Sequence, residues 1–335
     1  MSSLSTVFCE PASIVAARTL LFEKLGWTSN RGQLDAIPQW AGFLKSIEYT
    51  PSANTFTDAA CIGGYFYNFH NPAPTADALA KQIEQNSDAS AYLVPTVPHT
   101  EDTQALSALG FSPAPAYIES IFDIEGTLEE ALRKSIGSRR YLDFERITRK
   151  AEAFANVRFY RSAELKLNPQ ILEIAGRVHA ENARKYNQIY NPYDTATLKT
   201  LLTSTLGANL VIGIVSTIES DQPVQVILAL LDSARGHAYY LAQGIDHAHV
   251  PETVNLYTAS YLWLYRFAVE NTVHTVFLSR GMHDAKRRLG ANRFLLLNHW
   301  LRSDSDTGRQ AISEICERAN RKFKPAFEAL VGDSQ

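Results

Sequence analysis

Apolar residues recur at helical spacing near the start of the chain (Ile14, Val15, Leu20, Leu21, Leu25), with Pro11 near the first turn and Gly26 as a stop. They predict an amphipathic helix over 11–25. Residues 61–69, glycines amid aromatics, read as a strand or a glycine-bent hairpin. The pattern then predicts a helix over 75–86, a buried strand over 91–94, a helix over 101–109 capped by Thr100, a Pro-containing turn, and a strand over 117–124. Thr127 with Glu129 and Glu130 behind it marks a helix start, because a hydroxyl there accepts from first-turn N–H groups and acids suit the positive end of the helix. That helix is expected to run to about residue 155, with a break at Gly137-Ser138.

Next come a strand over 157–160, helices over 169–186 and 195–206, and strands over 209–216, 224–232 and 236–242. The last three have the spacing of an antiparallel meander turning around Asp221 and Gly236. A long helix over 252–271, a strand over 273–278, a short helix ending at Leu289, a strand over 294–301 and a helix from about Thr307 complete the chain. Residues 91–124 and 273–302 each read strand, helix, Leu-Gly, strand, as the two halves of a duplication would. Helices often end on a left-handed glycine, so the echo alone leaves duplication and coincidence both open.

With 335 residues, 45% of them hydrophobic and 20% charged, the chain can bury two cores of ordinary domain size. Cys9, Cys61 and Cys316 are far apart and show neither metal spacing nor a disulfide framework, which predicts a reducing compartment. The N-terminus lacks the basic and apolar regions of a signal peptide, and no window approaches the roughly 18 apolar residues of a membrane span. The expected location is the cytoplasm, with no membrane partner.

The formal charge of −3 hides a local excess. Between Arg133 and Arg161 stand nine basic side chains, Arg139 and Arg140 among them, against Asp143, Glu145 and Glu152. Such a run can bind phosphates of a tRNA or nucleotide, or it can be a solvated helix face with pairs at helical spacing.

Three segments together resemble the FemAB-type branch of the GNAT superfamily, including its CelD/BcsL-type acetyltransferase-like relatives. They are Leu109-Gly110-Phe111 followed by the stretch 128–146, then Ala238-Tyr-Tyr-Leu-Ala-Gln-Gly-Ile-Asp246, and finally Ser279-Arg280-Gly281-Met282-His283-Asp284-Ala285-Lys286-Arg287-Arg288-Leu289-Gly290-Ala291-Asn292. The resemblance covers about 90–302 and implies an α/β (α+β) chain of two tandem GNAT-like domains, each a mixed, mostly antiparallel sheet flanked by helices. The boundary is expected at 126/127, giving 1–126 and a catalytic 127–335. It also implies acyl or aminoacyl transfer to an amine, with acyl-CoA or aminoacyl-tRNA as donor and no permanently bound cofactor. The loop that cradles the CoA pyrophosphate in acetyl-CoA enzymes of this superfamily is reduced here to Gly244, with Asp246 and Glu252 placing negative charge nearby. Aminoacyl-tRNA is therefore the expected donor, and a small-molecule or peptide amine the expected acceptor.

Amide formation needs a held carbonyl, oxyanion donors and a proton acceptor, but no covalent nucleophile. Asp246, Glu181 and Tyr257 are the candidate catalytic groups. Arg139, Arg140, Tyr240, Gln243, Asn255, Tyr261, Arg280, Lys286 and Arg287 are the candidate substrate contacts. Each has an ordinary counterpart: a helix-end charge, a core aromatic or a capping residue. Tyr190 and the segment 181–186 could line the acceptor site. His247 and His249 share a face with no third ligand in sequence, so zinc is not expected. The rival readings are an acyl-CoA-dependent N-acyltransferase and a non-catalytic GNAT-like binding module.

Overall fold

The computed structural model describes residues 31–332 apart from 35–36, 53–54, 64–69 and 187–192. The predicted helix over 11–25, Cys9, Tyr190 and most of the segment 61–69 lie outside the described residues.

Contacts divide the chain into two compact units, 1–119 with 294–335 and 120–293. The boundary expected at 126/127 thus falls at Glu119/Ser120, and the last strand and helix group with the N-terminal part. In the first unit lie β1 (Arg31–Gly32), α1 (Pro38–Ser46), β2 (Ala59–Cys61), α2 (Ala76–Gln85), β3 (Ala91–Pro98), α3 (Gln104–Ala108) and the first residues of β4 (Ser112–Asp123). To these return most of β10 (Arg293–Arg302) and α11 (Asp306–Gly332). Strand β2 runs parallel to β3, and β10 pairs antiparallel on its other side. Successive side chains of a strand face opposite ways, which gives this sheet two apolar layers. Leu93 and Leu301 pack with Trp40, Phe43 and Ile315 of α1 and α11. Tyr92, Val94 and Trp300 pack with Leu79 and Leu106 of α2 and α3.

The second unit holds the end of β4, α4 (Leu128–Ile136), α5 (Ser138–Glu152), β5 (Ala155–Arg161), α6 (Ser162–Leu167), α7 (Gln170–Lys185), α8 (Thr195–Thr203), β6 (Leu210–Thr217), β7 (Pro223–Asp232), β8 (His237–Ile245), α9 (Leu256–Glu270), β9 (Thr275–Arg280) and α10 (His283–Arg288). Its strands run in the order β4-β9-β8-β7-β6-β5. The meander β5 to β8 is antiparallel, and β8 to β9 is parallel, with α9 as the crossover. Thr127 caps α4 as expected, here within a capping box closed by Glu130, and Gly137 at φ 81° separates α4 from α5.

Some boundaries differ for physical reasons. The expected Pro-containing turn is strand, with Pro113 and Pro115 taken into β4. Thr100 caps nothing, since α3 begins at Gln104 after Thr103. Helix α9 starts at Leu256, because the Asn255 side chain accepts from Thr258 N and fixes the end there. The echo between 91–124 and 273–302 holds in three dimensions. The segments run β3-α3-Gly110-β4 and β9-α10-Gly290-β10, with the glycines at φ 79° and 118°.

Candidate functional site

The parallel pair β8 and β9 is hydrogen-bonded only from His237↔Thr275 to Tyr239↔Phe277 and parts beyond that point. On its other edge β8 shifts register against β7 between Leu228 and Ala229, so an extra residue is accommodated at Leu241. Strand ends that diverge in this way open a wedge, and α/β folds place ligands at such carboxyl ends.

Four of the predicted residues meet on the face of β8 covered by α9. The rings of Tyr240 and Tyr261 lie 5.1 Å apart, and the Tyr257 and Tyr261 hydroxyls are 3.2 Å apart. Burial holds the phenols of Tyr240 and Tyr261 well above their ordinary pKa, so both stay protonated at neutral pH. Gln243 accepts at Oε1 from Gln225 Nε2 (2.7 Å) and from Ser260 Oγ (2.9 Å). Ser260 Oγ also lies 2.8 Å from the Tyr257 carbonyl oxygen, so its single proton serves one of these two acceptors. Gln225 was not singled out in sequence; its signal was a lone amide inside the apolar run Val224–Leu231.

On the opposite face α7 presses against β8. Gly244 allows the approach, since a Cβ there would stand 2.7 Å from the His179 Cα. The glycine expected to mark a degraded phosphate loop is therefore a packing residue inside β8. Asn182 Oδ1 accepts from Ile245 N at 3.4 Å, and the sequence neighbours of this pair include Glu181 and Asp246. The two carboxylates come together on one cleft of about 590 Å³ with Arg177, Val178, Gln222, Pro223, Ala248 and His249, and on an adjoining one of about 280 Å³ with Arg184 and Lys185. Asp246 accepts from Ala248 N (3.2 Å) and from His249 Nδ1 (2.9 Å), so its carboxylate already takes a loop N–H that an anion would need. Glu181 pairs with Arg184. Among the described residues no group of three metal-ligating side chains gathers, and His249 is engaged by Asp246.

Arg280 ends β9, and Ser279 (φ 71°), Gly281 (φ 70°) and Met282 (φ 54°) around it are all left-handed. Such strain in Ser and Met persists only where surrounding contacts hold it. One of those contacts is Lys286, 4% exposed, whose Nζ donates to the Arg280 carbonyl at 3.0 Å. Lys286 thus braces the strand end, and Arg287 lies half-buried beside it on α10. Arg139 and Arg140 are exposed at the start of α5, away from these clusters in sequence. Two of the three acids of α5 turn inward: Glu145 and Glu152 take Arg266 of α9 at 3.1 and 2.6 Å, and Trp263 Nε1 donates to Glu152 at 3.2 Å, while Asp143 stays exposed and pairs with Arg146. The outward face keeps Arg139, Arg140, Arg149 and Lys150.

The fold so built, a parting parallel pair in a mixed sheet with helices on both faces, is of GNAT type. Solved structures share it. The C-terminal DUF2156 domain of an Agrobacterium fabrum chain assigned as a lysylphosphatidylglycerol synthetase superposes with a TM-score of 0.56 at 8% identity, over 78% of this chain and 82% of that one. L-PGS from Bacillus licheniformis gives 0.53 at 8%, over 77% and 81%, and FemX gives 0.52 at 10%, over 80% and 85%. No protein-family model matches the sequence, and no curated protein matches it. The FemAB-like resemblance therefore stands at the level of the fold. No helix among the described residues is long and apolar enough to cross a membrane.

Proposed function

We propose that this chain is a transferase that moves an aminoacyl or acyl group from an activated donor to an amine, forming an amide. The observation that carries the reading is the convergence of Glu181 and Asp246, from separate elements, on one cleft at the carboxyl end of β8. A pair of carboxylates attracts an ammonium and can take its proton, and the freed nitrogen then attacks the donor carbonyl carbon. The oxyanion that forms needs hydrogen-bond donors. The nitrogen of the adduct loses its second proton to the other carboxylate, and as the intermediate collapses the leaving oxygen or sulfur departs with one of the two protons while the other passes to solvent.

Aminoacyl-tRNA suits the donor role better than acyl-CoA. Gly244 is spent on helix packing and Asp246 occupies a loop N–H, which removes two requirements of a pyrophosphate cradle. The lysylphosphatidylglycerol synthetases, by their name, handle an aminoacyl group, and the exposed arginines of α5 suit a phosphate backbone. Arg280 is the anion contact of this reading, with Lys286 positioning it. Mass spectrometry of products from mixed charged tRNAs and acyl-CoAs with candidate amines tests the proposal. Amide product should form from a charged tRNA, and Glu181→Gln with Asp246→Asn should lower kcat by roughly 100-fold or more. Tight CoA binding by calorimetry, with product from acyl-CoA alone, would overturn the choice of donor.

A further inference from the structure

The cleft that gathers Glu181 and Asp246 also carries a cation and an amide that the proposed transfer leaves unused. Arg177 lines it from α7, one helical turn before Glu181 and on the same face, since residues four apart on a helix are surface neighbours. Glu181 pairs forward with Arg184, and Arg177 makes no ion pair or hydrogen bond among the described residues. Gln222 lines the same cleft just before β7. Asp246 N donates to the Val224 carbonyl at 2.8 Å, which sets the residues entering β7 against the Asp246 loop. The Gln222 backbone bonds to Thr217 through both its N–H and its carbonyl, but its carboxamide has no partner among the described residues.

Two carboxylates and one guanidinium on a single cleft suit a ligand that carries both signs of charge. An amine without an anionic group is drawn to Glu181 and Asp246 and at the same time repelled by Arg177. An amine with a carboxylate turns that repulsion into attraction, because the planar fork of an arginine matches the two carboxylate oxygens. The Gln222 carboxamide offers a further N–H to the same group. Arg177 and Glu181 stand about 6 Å apart along the helix axis, a separation that a few methylenes between amine and carboxylate span. We infer that the acceptor is an amino acid, its amine held by Glu181 and Asp246 and its carboxylate by Arg177 with Gln222. That this ligand accepts an acyl group rests on the transfer proposed above; that it binds as a zwitterion rests on the cleft alone.

Titration calorimetry of the full chain with β-alanine, γ-aminobutyrate and δ-aminovalerate, each against its amide, tests the binding. At pH 7 the amines of the panel are charged, as a lysine amine is up to about pH 10.4, and the carboxyls are ionised above about pH 4. At least one free acid should bind about fivefold more tightly than its amide, the upper range for an exposed ion pair. Arg177→Gln should erase that preference, and high salt should shrink it, because Arg177 is exposed. The same exposure means that the variant should melt with the wild-type chain. Equal binding of acid and amide throughout, no binding of any acid, or a preference that survives Arg177→Gln would overturn the inference. Amide formation with the same acceptors separates it from the transfer reading. A kcat/KM higher for an acid than for its amide, and lowered by Arg177→Gln through KM, supports both. Product formed equally well from acids and amides sinks the amino-acid acceptor and keeps the transfer. Selective binding with no product from any activated donor sinks the transfer and leaves the zwitterion site standing.

Discussion

Replacing Gly244 with alanine probes the contact that brings Glu181 to Asp246. The new Cβ would sit 2.7 Å from the His179 Cα, 3.0 Å from the Val178 carbonyl oxygen and 3.1 Å from the His179 nitrogen. All three are backbone atoms, so no side chain can swing aside. Carbon atoms settle at about 3.5–4.0 Å, and α7 must therefore lift from β8 by roughly 1 Å. The strand cannot yield instead, because Gly244 is registered opposite Val226 inside the meander. Overpacking of this kind costs about 1–3 kcal/mol, which lowers Tm by roughly 2–12 °C in a domain of this size. The same lift stretches the bond from Ile245 N to Asn182 Oδ1, already 3.4 Å, and moves Glu181 off the cleft. A displacement of about 1 Å in a catalytic group can cost on the order of 100-fold in rate. Denaturant unfolding and thermal melts read the stability, and amide formation reads the site. A Gly244→Ala variant with wild-type midpoint and activity would refute the claim that this glycine exists for the close approach of α7.

Other positions give contrasting outcomes. Gly42→Ala, inside α1 with nothing within 4 Å of the added methyl, should raise stability by about 0.5–1 kcal/mol in the same melts; a loss would contradict the open space there. Arg266→Met removes the guanidinium between Glu145 and Glu152 and should cost roughly 1–2 kcal/mol, at the low end for charged hydrogen bonds because the site is half-exposed. The penalty should shrink in a Glu145→Gln background, and an unchanged one would remove Glu145 from the network. Burial pushes the Asp123 carboxyl up, but the Arg293 and Thr275 hydrogen bonds and the charge of Arg293 outweigh it, and the net pKa is lowered. A depressed folded pKa contributes stability above the unfolded value of about 3.9 and loses it as pH falls through the lower folded value. Acid unfolding should therefore steepen below about pH 4 in the wild-type chain, and Asp123→Asn should flatten that part of the curve.

Much of the element order was legible because its causes are local. The Thr127 cap, the left-handed Gly137, and the turns at Asp221 and Gly236 are set by residues a few positions apart. The meander and the helix α7 followed from periodicity, and the Leu-Gly echo followed from two glycines that both end short helices with positive φ. What failed was also local in appearance: Pro113 and Pro115 read as a turn, yet they lie in β4. Tertiary context overrode propensity there.

The chain of residues by itself determined the two-unit α/β character, the basic run of α4 and α5, and the polar and aromatic residue types of β8 and α9. Only the tertiary structure decided which of them meet. It put Gln243 and Gly244 on opposite faces of one strand, so that the first joins Gln225 and Ser260 while the second admits α7. It turned Lys286 inward to the Arg280 carbonyl and sent Glu145 and Glu152 of α5 to Arg266, leaving the arginines of that helix outside. It also gathered Gln39, His70, Glu119 and His299, spread over most of the sequence, into the core of one unit. Spacing along a chain encodes faces of single elements, whereas contact between elements depends on how sheets pair and helices pack, and no local pattern carries that information.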